Sequence, residues 1–317
     1  MKKVIVTGGA GFIGSNLSEF FLNRGWVVKV IDNFSTGREE NISHLKQFEN
    51  FTLVEGDIKD AEFLKREFEG YEMVFHEAAI PSVAKSVKDP MTSNENNIKG
   101  TLSTLIAARE SGIKRVIYAA SSSVYGDTPT LPKIESMPPN PKSPYALTKF
   151  VGEEYCRIFN EIYGLETISL RYFNIFGPRQ DPNSQYAAVI PKFVTAALKG
   201  ERPVIFGDGL QSRDFTFIEN VLHANFLAAN APESCCGKSY NVACGERITL
   251  LDLLKEIENI LNVKLNPIFS DPRPGDVKHS LAEISRAKEC FGYTPVVNLK
   301  EGLKKTIKWY KEKYFGS

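Results

Sequence analysis

One octet constrains this chain more than any other feature: Thr7-Gly8-Gly9-Ala10-Gly11-Phe12-Ile13-Gly14, set directly behind the apolar run Val4-Ile5-Val6 and opening a helical pattern near Phe12 to Arg24. Glycine reaches φ > 0 and lets another chain come close, so the octet reads as a tight strand-to-helix turn that alanines could not make. It satisfies the GxGxxG spacing through Gly9, Gly11 and Gly14, and GxxGxxG through Gly8, Gly11 and Gly14. Such a turn aims backbone N–H groups and the positive end of a helix at an anion.

The second apolar run ends in Asp32, eighteen residues after Gly14. A carboxylate there can accept both hydroxyls of an adenosine ribose, and it repels a 2′-phosphate. NAD is therefore the expected cofactor, with Arg38 leaving NADP open. Asp57, after the third run, could meet the adenine amino group or could cap the helix that starts at Ala61. Ala78-Ala79-Ile80 are small enough for a close approach of backbone to the nicotinamide side. His76-Glu77 begins like a zinc HExxH motif, but Ile80 occupies the second histidine position and the other histidines are scattered. No metal is expected.

At 317 residues and 42% hydrophobic composition, the chain can bury a core of one large domain or two modest ones. Its formal charge of +1 comes from interleaved signs, which gives no basic stripe for nucleic acid. No apolar run approaches the roughly 18 residues of a membrane span. Lys2-Lys3 followed by three apolar residues and then Thr7-Gly8-Gly9 reads as a strand rather than a secretory signal. Five cysteines form no CxxC pair, and an odd number without a signal points to a reducing, cytoplasmic setting. Cys235-Cys236 reads as an inert loop.

Short apolar runs at Val4–Val6, Val27–Ile31, Phe51–Val54, Met73–Phe75, Val116–Ala119 and Thr167–Leu170 alternate with helical patterns near Phe12–Arg24, Ala61–Phe68, Asn96–Ser111 and Ala146–Tyr163. That alternation predicts a doubly wound α/β fold, a parallel sheet covered on both faces with ligands at the strands' carboxyl ends. Beyond Asn174 the turns Gly177-Pro178-Arg179 and Gly207-Asp208-Gly209 break the rhythm, and helices are expected near Ala187–Leu198, Leu250–Leu261 and Leu299–Tyr310. The division expected is a dinucleotide-binding domain over 1–174, with segments near 214–242 returning to it, and a smaller mixed α/β substrate lobe over 175–317.

Tyr145 and Lys149 stand at i and i+4 at the start of a helix and so share one face. A phenol titrates near 10, and acting as a base near neutrality needs a lowering of about 3 units, roughly 4 kcal/mol. A nearby ammonium and the nicotinamide cation could provide it. Ser121-Ser122-Ser123-Val124-Tyr125-Gly126 follows the fifth strand and brings hydroxyls to the same end of the sheet.

These motifs, together with DNFSTG at Asp32, HEAA at His76, NNIKG at Asn96, SPYALTK at Ser143, LRYFN at Leu170 and RPGD at Arg273, resemble the extended short-chain dehydrogenase/reductase superfamily. Within it, the chain is most similar to UDP-sugar 4-epimerases, and closest to those acting on UDP-N-acetylglucosamine. The resemblance implies an isomerase in which Tyr145 is the base, Lys149 lowers its pKa and holds the nicotinamide ribose, and Ser121 bonds the reacting hydroxyl. It extends the cofactor contacts to Phe12 and Ile13, to Asn33, Phe34, Ser35, Thr36 and Gly37, and to Ile58, Asn97 and Tyr172. Related dehydratases carry Asp and Glu where this chain has Ser122 and Ser123, which disfavours dehydration and leaves both serines on the sugar side.

By the same resemblance, Asn174, Ala188, Val189, Lys192 and Phe206 hold the UDP portion, with Arg213 and Arg273 on the pyrophosphate and Asp276 on a ribose hydroxyl or paired with Arg273. The chain departs from many glucose-type epimerases at Pro81, where they carry lysine, which makes Ser82 and Lys85 sugar-side candidates. At the position where a bulky tyrosine crowds the sugar's 2-substituent, this chain has Ser280. The expected reaction is interconversion of UDP-N-acetylglucosamine and UDP-N-acetylgalactosamine through a 4-keto sugar, with UDP-glucose and UDP-galactose as further substrates. The rivals are a UDP-glucose 4-epimerase, a UDP-glucuronate epimerase or decarboxylase, and, from another class, an NAD-sensing regulator, which the intact Ser121, Tyr145 and Lys149 oppose. Apolar residues on the 96–111 and 146–163 helices predict a homodimer.

Overall fold

The structure, a computed structural model, describes residues 1–182, 188–272 and 277–316. Its first half alternates strand and helix: β1 (Lys3–Thr7), α1 (Phe12–Leu22), β2 (Val27–Asp32), β3 (Phe51–Glu55), α2 (Ala61–Phe68), β4 (Met73–His76), α3 (Val83–Lys88), α4 (Pro90–Asn94), α5 (Gly100–Glu110), β5 (Arg115–Ser121), α6 (Pro144–Tyr163) and β6 (Glu166–Tyr172). The second half holds β7 (Ile175–Phe176), α7 (Val189–Lys199), β8 (Val204–Phe206), β9 (Ser212–Arg213), β10 (Thr216–Phe217), α8 (Ile218–Ala229), β11 (Lys238–Val242), β12 (Ile248–Thr249), α9 (Leu250–Leu261), β13 (Ile268–Ser270), α10 (Ser285–Phe291) and α11 (Leu299–Phe315).

Seven strands form one parallel sheet in the order β11-β6-β5-β4-β1-β2-β3. The doubly wound fold read from the sequence is therefore the fold of the protein. β11 pairs with β6 in register from Lys238 opposite Ile168 to Val242 opposite Tyr172, so a late segment closes the sheet edge beside α6. Alternate residues of each strand feed opposite cores. Val4, Val6, Val28, Val30 and Phe75 pack with Leu17 and Phe21 of α1 and with Val221 and Ala224 of α8. Ile5, Ile31, Val74, Val116 and Tyr118 pack with Phe68 of α2, Leu105 of α5 and Phe159 of α6. Burial on both faces is why these strands read as continuous apolar runs.

Caps set where helices begin. Asp60 accepts from the Phe63 N–H, and Ser143 accepts from the Ala146 N–H with Pro144 in the first turn. Asp57 is thus not the α2 cap; its Oδ1 accepts from the Lys59 N–H in an Asx turn instead. The helix expected over Asn96–Ser111 starts with a π-type turn, Glu95–Lys99, before α5. The cysteine reading also needs correcting: Cys235 is joined to Cys290 by a disulfide, a pairing 55 residues apart that spacing does not reveal. Cys156, Cys236 and Cys244 are free thiols.

Candidate active site

The glycine turn is built around contact with the exit of β4. Gly8 sits at φ +70°, and a Cβ there would stand 2.6 Å from the Ala78 Cα. A Cβ on Gly14 would stand 2.3 Å from the Gly8 carbonyl oxygen. Asp32 ties the turn to the second strand: Oδ2 accepts from the Ala10 N–H at 2.9 Å and Oδ1 from the Phe34 N–H at 2.8 Å. Burial pushes this carboxyl above its usual range, and those two N–H groups draw it back. Gly37 packs on the same carboxylate, where a Cβ would come within 2.8 Å of Oδ1.

Together these pieces wall a cavity lined by Gly8, Gly11, Phe12, Ile13, Gly14, Asp32, Asn33, Ser35, Thr36, Ile58 and Ala78 to Pro81. Most residues predicted to hold a cofactor are here in one place. Asn97 works from behind. Its Oδ1 accepts from the Ile80 N–H at 2.8 Å and its Nδ2 donates to Thr148 Oγ1 at 3.0 Å, joining the cavity wall to α6. Asp57 Oδ2 lies 3.3 Å from Asn33 Nδ2, beside the cavity. His76 is buried between Thr7 and Thr101, at 2.7 and 3.0 Å, and burial pushes it down to about 3. It is a neutral structural residue. Among the described residues, no cluster of three metal-ligating side chains is present.

A second cavity, about 500 Å³, adjoins the first at Pro81. Ser82, Ser121, Ser122, Ser123, Asn174, Arg213 and Ser280 line it, drawn from five separate segments. Ser121 Oγ caps its own turn, accepting from the Ser123 N–H at 3.2 Å and the Ser123 hydroxyl at 2.9 Å. Ser82 caps α3 by accepting from the Lys85 N–H, and Lys85 is exposed on that helix. Arg213 Nη1 donates to Ser212 O and Lys278 O at 3.0 and 3.2 Å. Asn174, at φ +38°, donates to Asp214 O at 2.9 Å and reaches Ser280 Oγ at 3.4 Å. Ala188 and Val189 begin α7, which carries Lys192, and Phe206 ends β8. Arg273 and Asp276 lie outside the described residues.

Tyr145 and Lys149 rise from the first turns of α6. Burial pushes the Tyr145 phenol above its usual range, the neighbouring Ser121 hydroxyl draws it down, and the Glu77 carboxyl pushes it up again. Lys149 Nζ donates to the Ala119 carbonyl at 2.8 Å. The ammonium expected to lower the phenol pKa is thus held by the end of β5, and burial lowers its own affinity for a proton, with Glu77 raising it.

Sequence reasoning passed over three groups. Glu77 lines the first cavity and bonds Tyr172; Ser86 supports the Tyr145 backbone; Lys133, nearly buried, lines the second cavity with Nζ on Thr128 O. A charge directly after the apolar strand Met73–His76 was the readable sign of the first.

The sequence profile of the NAD dependent epimerase/dehydratase family matches residues 4–243. The chain belongs to that family. A UDP-glucose 4-epimerase of Mycolicibacterium smegmatis is 38% identical over 314 residues, 98% of this chain and 99% of that protein. The solved UDP-N-acetylglucosamine 4-epimerase from Methanobrevibacter ruminantium M1, in complex with UDP-N-acetylmuramic acid, is 43% identical with a TM-score of 0.94, covering 98% of this chain and 99% of that one. A UDP-glucuronic acid 4-epimerase from Bacillus cereus, solved with UDP-glucuronic acid and NAD, is 32% identical with a TM-score of 0.91, covering 98% and 100%. Membership makes NAD the cofactor of this epimerase-family chain, and its residues fit the group: a turn with no room for a Cβ at Gly8 or Gly14, and the Asp32 carboxylate on the cavity floor.

Proposed function

We propose that the protein is a UDP-N-acetylglucosamine 4-epimerase that interconverts the gluco and galacto forms of UDP-N-acetylhexosamine and also turns over plain UDP-hexoses. The observation that carries this reading is Ser280, a small side chain on the wall of the 500 Å³ cavity that also holds Ser121 and Asn174. It leaves space beside the sugar for a 2-acetamido group. The likeness to the Methanobrevibacter enzyme supports the same choice.

When bound, NAD would supply a two-electron acceptor that can also act as donor, which suits an isomerisation with no net redox change. The Asp32 carboxylate, the Gly8–Gly14 turn and Ile80 hold it in the first cavity. Tyr145 takes the proton of the 4-hydroxyl, and Ser121, whose hydroxyl draws the phenol down, orients the oxygen that loses it. Since burial raises the phenol, its lowering falls to cationic charge brought into the cavity on binding. Arg213 and Asn174, on the wall of the second cavity, would grip the UDP portion, and the family resemblance adds Phe206, Ala188, Val189 and Lys192. This fixed anchor leaves the hexose free to present its other face, which puts binding energy on the part of the substrate that does not react.

The second reading, a UDP-glucose 4-epimerase, is favoured by the name of the mycobacterial relative. Incubating purified protein with UDP-N-acetylglucosamine, without added NAD, and assaying for the galacto isomer separates the two when run beside UDP-glucose. Faster turnover of the N-acetylated sugar is expected; a preference for the plain sugar overturns the Ser280 argument. Tyr145→Phe abolishes turnover if the base is correctly assigned.

We propose that the enzyme is a homodimer; the Cys235–Cys290 disulfide removes the cysteine argument for a reducing compartment. No helix among the described residues is long and apolar enough to cross a membrane. Leu147 and Ile162 on α6, 49% and 68% exposed, and Met91 on α4, 68% exposed, mark an apolar face that a second copy would cover. Light scattering of the purified protein tests this.

A further inference from the structure

Glu77 is a carboxyl in a place where carboxyls are rare, at the mouth of a sheet between two cores, and the functional reading above gives it no task. Its Oε1 lies 2.9 Å from the Tyr172 hydroxyl. The direction of that bond can be deduced. Asn225 Nδ2 donates to the Val221 carbonyl at 2.9 Å and also to the Tyr172 oxygen at 2.8 Å. A carbonyl only accepts, so the amide orientation is set, and the tyrosine oxygen, already accepting from Asn225, donates its own proton to Glu77. A buried relay, Asn225 to Tyr172 to Glu77, thus holds one carboxylate oxygen as an acceptor on the wall of the NAD cavity. The charged and titratable groups around it come from three sides: Lys149 and Tyr145 of α6, Tyr172 of β6, and the neighbouring His76, which faces Thr7 and Thr101 and stays neutral.

We propose that Glu77 is the counter-charge of the reacting end of this cavity: held by the Asn225–Tyr172 relay, its carboxylate opposes the field of the Lys149 ammonium and makes the pocket prefer the oxidised, cationic dinucleotide over the reduced one. This rests on the epimerase reading. Oxidation of the sugar carbinol breaks the O–H and C–H bonds; the proton goes to Tyr145, and the hydrogen with its electron pair goes to the cofactor, whose positive charge is neutralised. With Glu77 ionised, its field opposes that of Lys149 in both states, and the charges that change are the phenolate and the cofactor cation alone. Without it, the uncompensated ammonium disfavours the cation, so reduced cofactor accumulates and the electrons return less readily. Burial pushes Glu77 up from the ordinary carboxylate range, while Tyr172 and Lys149 draw it down, so the carboxylate fraction rises with pH through neutrality.

The test equilibrates purified protein with defined mixtures of NAD+ and NADH, removes free nucleotide by gel filtration, and reads the bound ratio by nicotinamide fluorescence between pH 6 and pH 8. Glu77→Gln should shift the bound ratio toward NADH by about tenfold. Glu77→Asp, which keeps the charge, should stay near wild type, and Tyr172→Phe should shift the same way as Glu77→Gln but less. The wild-type preference for NAD+ should grow with pH as Glu77 ionises. A ratio unchanged in Glu77→Gln, or one shifted as far by Glu77→Asp, overturns the proposal. Should Glu77→Gln fail to fold, an unshifted Tyr172→Phe ratio together with a flat wild-type pH profile overturns it equally. Wild-type protein that binds neither nucleotide would instead bring down the epimerase reading itself.

Discussion

The Ser86 hydroxyl, on the short helix α3, accepts a hydrogen bond from the backbone N–H of Tyr145 at 3.0 Å. The first N–H groups of a helix have no partner within it, and here one is satisfied by a side chain from a different element, itself fully buried. The bond fixes the height of the α6 start against the second cavity, and with it the phenol. Ser86→Ala leaves that N–H without an acceptor. We expect a stability loss of about 1–3 kcal/mol in urea titrations and a fall in kcat of about tenfold with KM little changed, since the phenol is displaced while the UDP grip is not. An unaltered kcat would show that α3 does not position the base.

One turn beyond Lys149, Glu153 pairs with Arg171 of β6, Nε to Oε2 at 2.9 Å, with a second bond from Nη2 to Oε1. Both side chains are 6% exposed. Arg171 also donates to the Tyr125 hydroxyl at 2.8 Å, which donates in turn to Asn241 Oδ1 at 2.7 Å. The pair therefore locks α6 to the serine loop and to β11. Removing one partner strands a buried charge: Glu153→Ala should cost about 3–5 kcal/mol. Replacing both, as Glu153→Leu with Arg171→Met, should recover most of that loss in the same unfolding measurement. Equal losses in the single and double variants would mean that lost packing, not the stranded charge, dominates.

Asp214 joins three segments of the second half of the chain by accepting from the N–H groups of Cys244, Gly245 and Ala282 at 3.0, 3.1 and 3.2 Å. Burial nevertheless pushes it up to about 6, the three bonds opposing. A carboxyl raised on folding keeps a proton that the unfolded chain gives up near 4, so its contribution to stability declines as pH climbs from about 4 to about 6 and is fully lost above that. Thermal melts of wild type and Asp214→Asn across pH 4 to 8 isolate the effect. Relative to the variant, wild type should lose roughly 3 kcal/mol over that window. A wild type that instead loses stability relative to the variant as pH falls would show that the three N–H groups outweigh burial.

How much of this was legible follows from which patterns survive burial. The strands announced themselves because both faces of the sheet are covered, and the octet Thr7–Gly14 because no side chain fits at Gly8 or Gly14. α8 went unread for the opposite reason: Ile218, Val221, Leu222, Ala224 and Ala228 are buried around most of its surface, which erases the amphipathic period. Tyr145, Lys149 and the three serines were found through motifs fixed by local spacing. Glu77 and Ser86 were not, because what matters about them, Tyr172 lying 95 residues away and Tyr145 lying 59 away, is created only by the fold. The bond between Cys235 and Cys290 escaped in the same manner.

Ser280 offers the sharpest handle on substrate choice, because its backbone is anchored and only its side chain meets the cavity. Its N–H donates to Ser212 O at 3.0 Å, and the preceding His279 bonds the Ser212 hydroxyl through Nδ1 at 2.9 Å. A substitution there changes volume at a fixed point rather than moving the segment. Ser280→Tyr places a phenol ring toward Asn174 and the serine loop, in the space assigned to the 2-acetamido group. Crowding a pocket against one extra group discriminates by about 10–200-fold, so kcat/KM for UDP-N-acetylglucosamine should fall by at least about tenfold while that for UDP-glucose stays within about threefold. Parallel assays of both sugars on the two proteins measure the ratio directly. An equal loss on both would mean that the ring obstructs the common hexose path, and the acetamido group would have to be sought against a different wall of the cavity.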